Sequence, residues 1–111
     1  MYCSSLQSIV IPHGVKYIGI NAFAACHSLE KTNVPDSVIK IEHGAFNECW
    51  SLETINIEGS LFSEINKMLI SSEGVLISSW TNQLDITIPK GVKKIGDYAF
   101  MHCQNLYYVC I

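Results

Sequence analysis

Three segments of this 111-residue chain share a pattern in which an Ala-Phe pair is followed, three residues after Phe, by Cys. The segments begin at Ala22, Ala45 and Ala99, so the first interval is 23 residues and the second is 54, which is two periods of 23 plus 8. A fixed period of this length is typical of repeat proteins, in which each repeat buries its apolar face against the next. The pattern therefore predicts a stack of short repeats, one of which carries 8 additional residues.

Each repeat combines an alternating strand pattern with a turn, and reads Leu-x-x-Ile-x-Ile-Pro-x-x-Val-x-x-Ile-x-x-x-Ala-Phe-x-x-Cys-x-x. Ile-x-Ile alternates with period two and predicts a short strand, which proline ends because it cannot donate a ladder hydrogen bond. Val-x-x-Ile predicts a second extended or turning segment, and Ala-Phe-x-x-Cys has the spacing of a single helical or 3₁₀ turn. We expect Phe23, Phe46 and Phe100 to stack along a common axis in a single dry interior.

The repeat at 52–82 is irregular, because two apolar runs there flank Ser-Glu-Gly. This arrangement predicts a β-hairpin insert over 68–79 in which Gly74 has a positive φ. The predicted repeats, all in one domain, are 6–28, 29–51, 52–82, 83–105 and a partial repeat at 106–111. Both ends of the chain fall within a repeat and lack polar caps, so we expect a fragment of a longer array whose uncapped ends favour self-association.

The motif Ile-Pro-x-x-Val-x-x-Ile-x-x-x-Ala-Phe-x-x-Cys at 11–26, 34–49 and 88–103 resembles the BspA-type leucine-rich repeat proteins, also called Treponema-like leucine-rich repeats. The resemblance implies a strand-rich α/β repeat: a right-handed, leucine-rich-repeat-like solenoid with a parallel β-sheet on one face and short helical turns on the other. It also implies a non-enzymatic recognition role, often at the surface of bacteria or protozoan parasites. The departures from the motif are Thr32, Gln83 and Glu58.

Composition and charge exclude several other functions. Seven basic and ten acidic residues give a net charge of −3, and the only basic cluster is Lys90, Lys93 and Lys94, so no nucleic-acid partner is expected. No apolar run approaches the length of a membrane-spanning helix, so no membrane insertion is expected. The resemblance favours an extracellular or cell-surface location. Because the sequence shows no secretory signal, a cytoplasmic location is the alternative.

The cysteines and histidines do not predict a catalytic or metal site. Cys3, Cys26, Cys49 and Cys103 share one inward column and are interpreted as buried thiols, with bridging between stacked repeats as the alternative. The histidines, at 13, 27, 43 and 102, fall in four different columns, whereas metal ligands would tend to align on adjacent repeats. A thiol enzyme is a minor hypothesis, because a nucleophile needs a base that converges on it in space. We therefore predict no enzyme activity, no cofactor and no metal.

The outward side chains of the predicted sheet form the candidate binding surface. They lie in two rows at matching positions of successive strands. The candidate partner-binding residues are Lys31, Asn33, Thr54, Asn56, Asp85, Thr87 and Tyr108. This polar face predicts a protein- or glycan-binding interaction module with an adhesion-related role, and the alternative is a structural spacer in a longer solenoid. Phe62, Trp80 and Trp50 are further candidates for contact residues, or for capping residues of the insert.

Overall fold

The computed structural model describes residues 6–81, 85–97, 99–100 and 108–110, and side chains within 6–81, 86–97 and 99–100. This part of the chain contains ten short strands. They are β1 (Tyr17–Ile18), β2 (Lys31–Val34), β3 (Lys40–Ile41), β4 (Thr54–Ile57), β5 (Phe62–Ile65), β6 (Met68–Ser71), β7 (Val75–Ser79), β8 (Asp85–Thr87), β9 (Lys94–Ile95) and β10 (Tyr108–Cys110). The sheets are β1-β3, β2-β4, β10-β8 and β5-β6-β7-β9.

Strands of neighbouring repeats pair in parallel at an offset of one repeat. In β2 and β4, Lys31 lies opposite Thr54, and the register continues without a shift to Val34 opposite Ile57. Strands β1 and β3 pair in the same manner, as do β8 and β10. The alternating pattern therefore identified β2, β4 and β8 as the first strands of their repeats, and Val-x-x-Ile identified β1, β3 and β9 as second strands. Residues 9–11 have the same pattern but do not form a strand.

Turns, and not helices, follow the second strand of the first two repeats. Asn21 and Ala25 have φ of 54° and 62°, in the left-handed region, and Gly44 and Glu48 repeat this with 72° and 64°. A helix or 3₁₀ helix needs consecutive right-handed residues, so each left-handed residue ends it. The predicted helical turns are therefore wrong in these repeats. None of the described residues lies in a helix that is long and apolar enough to cross a membrane.

Backbone hydrogen bonds between repeats explain why the turns replace helices. Phe23 N donates to Ala45 O at 2.9 Å, and Ala25 N donates to Asn47 O at 2.8 Å. These donors are directed at the next repeat, whereas in a helix they would be directed along their own segment. The turns thus extend the ladder between repeats beyond the strands themselves.

The irregular repeat contains the predicted hairpin and one strand more. Strands β6 and β7 pair antiparallel around Gly74, whose φ is 87°. Strand β5, which was not predicted, pairs antiparallel with β6, so β5-β6-β7 is a three-stranded meander. Strand β7 also pairs in parallel with β9, with Leu76 opposite Ile95. Strand β7 is therefore the second strand of the irregular repeat.

This assignment shows where the additional residues lie. Ile57 and Leu76 are 19 positions apart, where the matching residues of regular repeats are 7 apart. Leu76 and Ile88 are 12 apart, where the matching residues are 16 apart. The irregular repeat thus gains residues before β7 and loses residues after it, and the segment that would contain Ala-Phe-x-x-Cys is shortened.

The meander lies between two apolar clusters. Leu69 and Ile77 belong to the first cluster, whereas their neighbours Met68, Ile70 and Leu76 belong to the second. Successive side chains of a strand point to opposite faces of a sheet, so a meander placed there divides the interior. The described residues therefore do not form the single predicted interior. Likewise, β2-β4 and β10-β8 are separate sheets, not the one continuous sheet that was predicted.

Aromatic rings of adjacent repeats are in contact within the first cluster. The rings of Phe23 and Phe46 stack, with centroids 5.5 Å apart and an interplanar angle of 10°. The next ring after Phe46 is Trp80, at 5.9 Å and 60°. Phe100 packs against the second cluster. The predicted stacking of phenylalanines is confirmed for the first two, and Trp80 follows them where a third Phe would be expected.

Candidate binding surface

The predicted surface residues are aligned within two of the parallel sheets, β2-β4 and β10-β8. Lys31 lies opposite Thr54, and Asn33 lies opposite Asn56. Lys31, Thr54 and Asn56 are exposed, because alternate residues of β2 and β4 point away from the first cluster. These side chains therefore form a ladder of polar groups at the spacing of adjacent strands, which is about 4.8 Å.

The second part of the predicted surface lies on the other sheet. The backbone of Asp85 pairs with that of Tyr108, and Thr87 pairs with Cys110. Thr87 is exposed. The side chains of Asp85, Tyr108 and Cys110 lie outside the described part of the structure. The register of each sheet agrees with the predicted rows, but the two halves of the surface belong to different sheets.

Asn33 differs from the other candidates because its side chain forms hydrogen bonds with the backbone of the neighbouring repeat. Its Oδ1 accepts a hydrogen bond from Ile11 N at 2.7 Å, and its Nδ2 donates to Ile11 O at 3.0 Å. Thr32, which occupies an apolar column, is buried and donates from Oγ1 to Ile9 O at 2.9 Å. Residues 9–11 do not form a strand, so these side chains supply the hydrogen bonds that a ladder would supply elsewhere.

The aromatic residues of the insert are mostly core residues. Trp80 is 1% exposed and its Nε1 donates to Leu52 O at 3.1 Å. Phe62 is buried in the same cluster, and Trp50 is half-buried. A residue must reach the partner to act as an interface hot spot, so Trp80 and Phe62 are excluded from that role.

An open cleft of about 450 Å³ lies between β3 and the meander. Its apolar walls include Ile39, Leu61 and Val75, and Lys40 and Glu73 also line it. No sequence pattern predicted this cleft, because it forms where the insert departs from the regular path of the repeats.

The described cysteines are buried thiols, as predicted. Cys26 and Cys49 have no exposed surface. Cys49 Sγ donates to Phe23 O at 3.0 Å. A catalytic thiol has to be accessible, so neither residue has the environment of a nucleophile. Cys3 and Cys103 lie outside the described residues.

One group of possible metal ligands was not predicted from the sequence. His13 Nδ1 lies 3.5 Å from Asp36 Oδ1, and His13 Nε2 lies 3.5 Å from Glu58 Oε1. The prediction considered only alignment among histidines. Of these, His27 is exposed, His43 is half-buried, and position 102 lies outside the described residues. His13 and Asp36 occupy the same position of successive repeats, a signal that was present in the sequence.

Parallel strands stacked at intervals of one 23-residue repeat, with apolar columns shared between repeats, define a leucine-rich repeat protein. The family model described as the BspA type leucine rich repeat region matches residues 1–78 and 77–111, in 6 copies. The chain belongs to this BspA-type leucine-rich repeat family. A search of curated proteins finds no match.

Solved structures of bacterial proteins share the fold. A leucine-rich repeat protein from Eubacterium ventriosum ATCC 27560 is 24% identical with a TM-score of 0.76, over 94% of this chain and 29% of that one. A leucine rich cell surface protein from Faecalibacterium prausnitzii A2-165 is 24% identical with a TM-score of 0.60, over 98% and 42%. The pneumococcal vaccine antigen PcpA is 22% identical with a TM-score of 0.66, over 94% and 33%. The chain thus spans less than half the length of each.

Proposed function

We propose that this chain is a non-catalytic recognition module, a section of a right-handed solenoid that binds a protein or glycan through the exposed polar rows of its parallel sheets. Leucine-rich repeat proteins are generally protein-interaction modules, and this is the family of the chain. The observation that carries the proposal is the register of β2 and β4, which places exposed Lys31 opposite Thr54. Such rows suit a ligand that makes several polar contacts at regular spacing.

The proposed location is the cell surface, with a role in adhesion. Support comes from two proteins of the same fold, one described as a cell surface protein and the other as a pneumococcal vaccine antigen. Both are much longer than this chain. The proposal for location therefore concerns the whole protein, whatever its length.

Binding to arrays of glycans and of purified secreted proteins tests the proposal. For any ligand found, we expect Lys31→Ala and Asn56→Ala to weaken binding about fivefold or more each, as side chains at the centre of an interface do. The matched control is Lys16→Ala, because Lys16 is also exposed but precedes β1. Loss of binding in Lys16→Ala or Ile39→Ser, with Lys31→Ala unchanged, would locate the interface near β1 or in the cleft instead.

Asn33 provides a separate test of which candidates are structural. Asn33→Ala removes both hydrogen bonds to Ile11, so we expect it to lower the free energy of unfolding by about 1–2 kcal/mol. Asn56→Ala, at the paired and exposed position, should change stability by less than about 0.5 kcal/mol. Urea denaturation measures both. Equal losses of stability would contradict the structural role assigned to Asn33.

The second candidate function is a structural spacer in a longer repeat protein. It is favoured by the small fraction of the similar proteins that this chain covers, between 29% and 42% for the three described above. If the spacer function is correct, no array component binds this chain, while a longer protein that contains these repeats does bind. In that protein, Lys31→Ala and Asn56→Ala would have no effect.

A further inference from the structure

We propose that His13, Asp36 and Glu58 form a binding site for a divalent transition cation, with Zn²⁺ as the best fit. The three side chains come from three successive repeats: His13 and Asp36 lie in turns, and Glu58 directly follows β4. One ligand atom of each residue can be chosen so that all lie within 4.8 Å of one another. The proposal does not depend on the sheet-face function proposed above.

Hydrogen bonds between neighbouring repeats hold these segments together, and one of them is made by Glu58 itself. Gly14 N donates to Ser37 Oγ at 3.1 Å, and Ser37 Oγ donates to Val15 O at 2.8 Å. The turn next to His13 is therefore tied to the turn that contains Asp36. On the other side, Asp36 N donates to Glu58 Oε1 at 3.1 Å. The relative position of the three segments is thus set by hydrogen bonds between the repeats.

Glu58 is available as a donor because the third repeat departs from the repeat pattern at this position. The column that contains Pro12 and Pro35 contains Glu58 in the irregular repeat. The next position has Gly59, so no side chain there lies between Glu58 and the turn that contains Asp36. Glu58 therefore places a carboxylate where Pro12 and Pro35 place an apolar ring.

The donor set favours a borderline cation over a hard one. One imidazole nitrogen and two carboxylate oxygens, completed by water, match the ligands that Zn²⁺ takes at about 2.0–2.2 Å. Donors around a tetrahedral ion lie about 3.3 Å apart, so donor atoms that are up to 4.8 Å apart would have to approach by about 1.5 Å. All three are exposed and can rotate. Mg²⁺ and Ca²⁺ prefer six or more oxygen ligands, which this cluster does not supply.

The charges of the cluster also favour a cation. Two carboxylates lie near each other, and in the part of the chain that the structure describes neither forms a salt bridge with a lysine. A divalent cation between the three side chains would neutralise the negative charge of this pair. The competing account is an ion pair of protonated His13 with both carboxylates and no affinity for metal.

Isothermal titration of the folded chain with zinc chloride separates these accounts, after accessible thiols have been alkylated with iodoacetamide under native conditions. We expect one Zn²⁺ per chain, with binding weakened about tenfold or more by each of His13→Ala, Asp36→Asn and Glu58→Gln. Circular dichroism checks that each variant is folded. The matched control is His27→Ala, because His27 is exposed but lies in another turn; zinc binding there should be unchanged.

Three outcomes would overturn the proposal. The first is no zinc binding by the unaltered chain at millimolar zinc, which is the result that an ion pair alone predicts. The second is zinc affinity in His13→Ala equal to that of the unaltered chain, which would place the bound ion elsewhere. The third is equal affinity for Mg²⁺ and Zn²⁺, which would contradict the role of the imidazole nitrogen.

Discussion

The second repeat and the irregular repeat each contribute an aromatic ring to the same stack in the core, Phe46 and Trp80. The backbone around the two rings is hydrogen-bonded differently. Between the first two repeats, Phe23 N donates to the backbone oxygen of Ala45 at 2.9 Å, and the rings of Phe23 and Phe46 stack. At the next junction, Phe46 N donates instead to the side-chain oxygen of Ser78 at 3.2 Å, and its ring contacts Trp80 at a tilt of 60°. The aromatic contact is retained, and Gly44 N still donates to Ile77 O at 3.4 Å, but Phe46 N has a side-chain acceptor in place of a backbone one.

The difference shows what the stack requires at each junction. Apolar packing is not directional, so an indole can follow a benzene ring as long as the volume is filled. A buried N–H is less tolerant, because it needs an acceptor at a particular place. Ser78 supplies that acceptor, and its own hydroxyl donates to Asn47 Oδ1 at 2.7 Å. The insert is thus accommodated in two ways. Trp80 takes the place of a phenylalanine ring, and Ser78 Oγ takes the place of a backbone carbonyl oxygen.

The largest effect that tests this comparison is the loss of either buried ring. Phe46→Ala and Trp80→Ala should each lower the free energy of unfolding by about 3–5 kcal/mol, because both rings are almost fully buried. Phe23→Ala should cost less, because Phe23 is half-buried. Urea denaturation measures all three. A cost below about 1 kcal/mol for Trp80→Ala would show that Trp80 does not replace a phenylalanine of the stack.

A conservative variant keeps this test informative if Trp80→Ala does not fold. Trp80→Phe retains an aromatic ring but removes the hydrogen bond from Nε1 to Leu52 O, so we expect a loss of about 1–2 kcal/mol. A loss as large as that predicted for Trp80→Ala would assign the main role of Trp80 to its hydrogen bond and not to its ring.

The next largest effect concerns the hairpin of the irregular repeat. Gly74 has a φ of 87°, and a Cβ there would lie 2.7 Å from Gly91 O. Gly74→Ala should therefore cost about 2–4 kcal/mol, from backbone strain and from the close contact together. Differential scanning calorimetry and urea denaturation both measure this loss.

Two other glycines, Gly91 and Gly96, separate the cost of backbone strain from the cost of the close contact. Gly91 has a φ of 93° and open space where a Cβ would lie, so Gly91→Ala should show only the backbone strain, about 1–2 kcal/mol. A Cβ on Gly96 would lie 2.7 Å from Leu76 O without a positive φ, so Gly96→Ala should show only the contact. If Gly74→Ala costs no more than Gly91→Ala, the packing of the hairpin against the next repeat is looser than the structure shows.

The regular repeats could be predicted from sequence because each strand position is set by local alternation. Ile-x-Ile gives the strand, and the 23-residue period gives its partner, so the register of β2 with β4 followed without knowledge of the structure. The hairpin around Gly74 was also predicted from local sequence, because two apolar runs flank Ser-Glu-Gly there. The division of the core into two clusters was not predicted, because it depends on where the meander packs and not on the sequence pattern of the meander.

The candidate surface shows the same limit. Alternation predicted that Asn33 and Asn56 share a row, and the register agrees. It did not predict that Asn33 bonds to Ile11, because that contact depends on the path of the neighbouring repeat. The cluster of His13 with Asp36 was within reach of the sequence, since both residues have the same repeat position. It was missed because only identical residue types were compared between repeats.

After the buried rings and the hairpin glycine, the third and smallest of the main effects concerns the serine that replaces a backbone acceptor. Ser78→Ala leaves the buried N–H of Phe46 without this acceptor, so we expect a loss of about 1–3 kcal/mol in the free energy of unfolding. Ser71 offers a matched control, because its Oγ accepts from Val75 N at the same distance, 3.2 Å, but the residue is only half-buried. Water can replace the acceptor in Ser71→Ala, so that variant should lose less than about 1 kcal/mol. Equal losses in the two variants would mean that burial does not decide the strength of the contact. A loss of less than about 0.5 kcal/mol in Ser78→Ala would mean that the junction depends on ring packing alone.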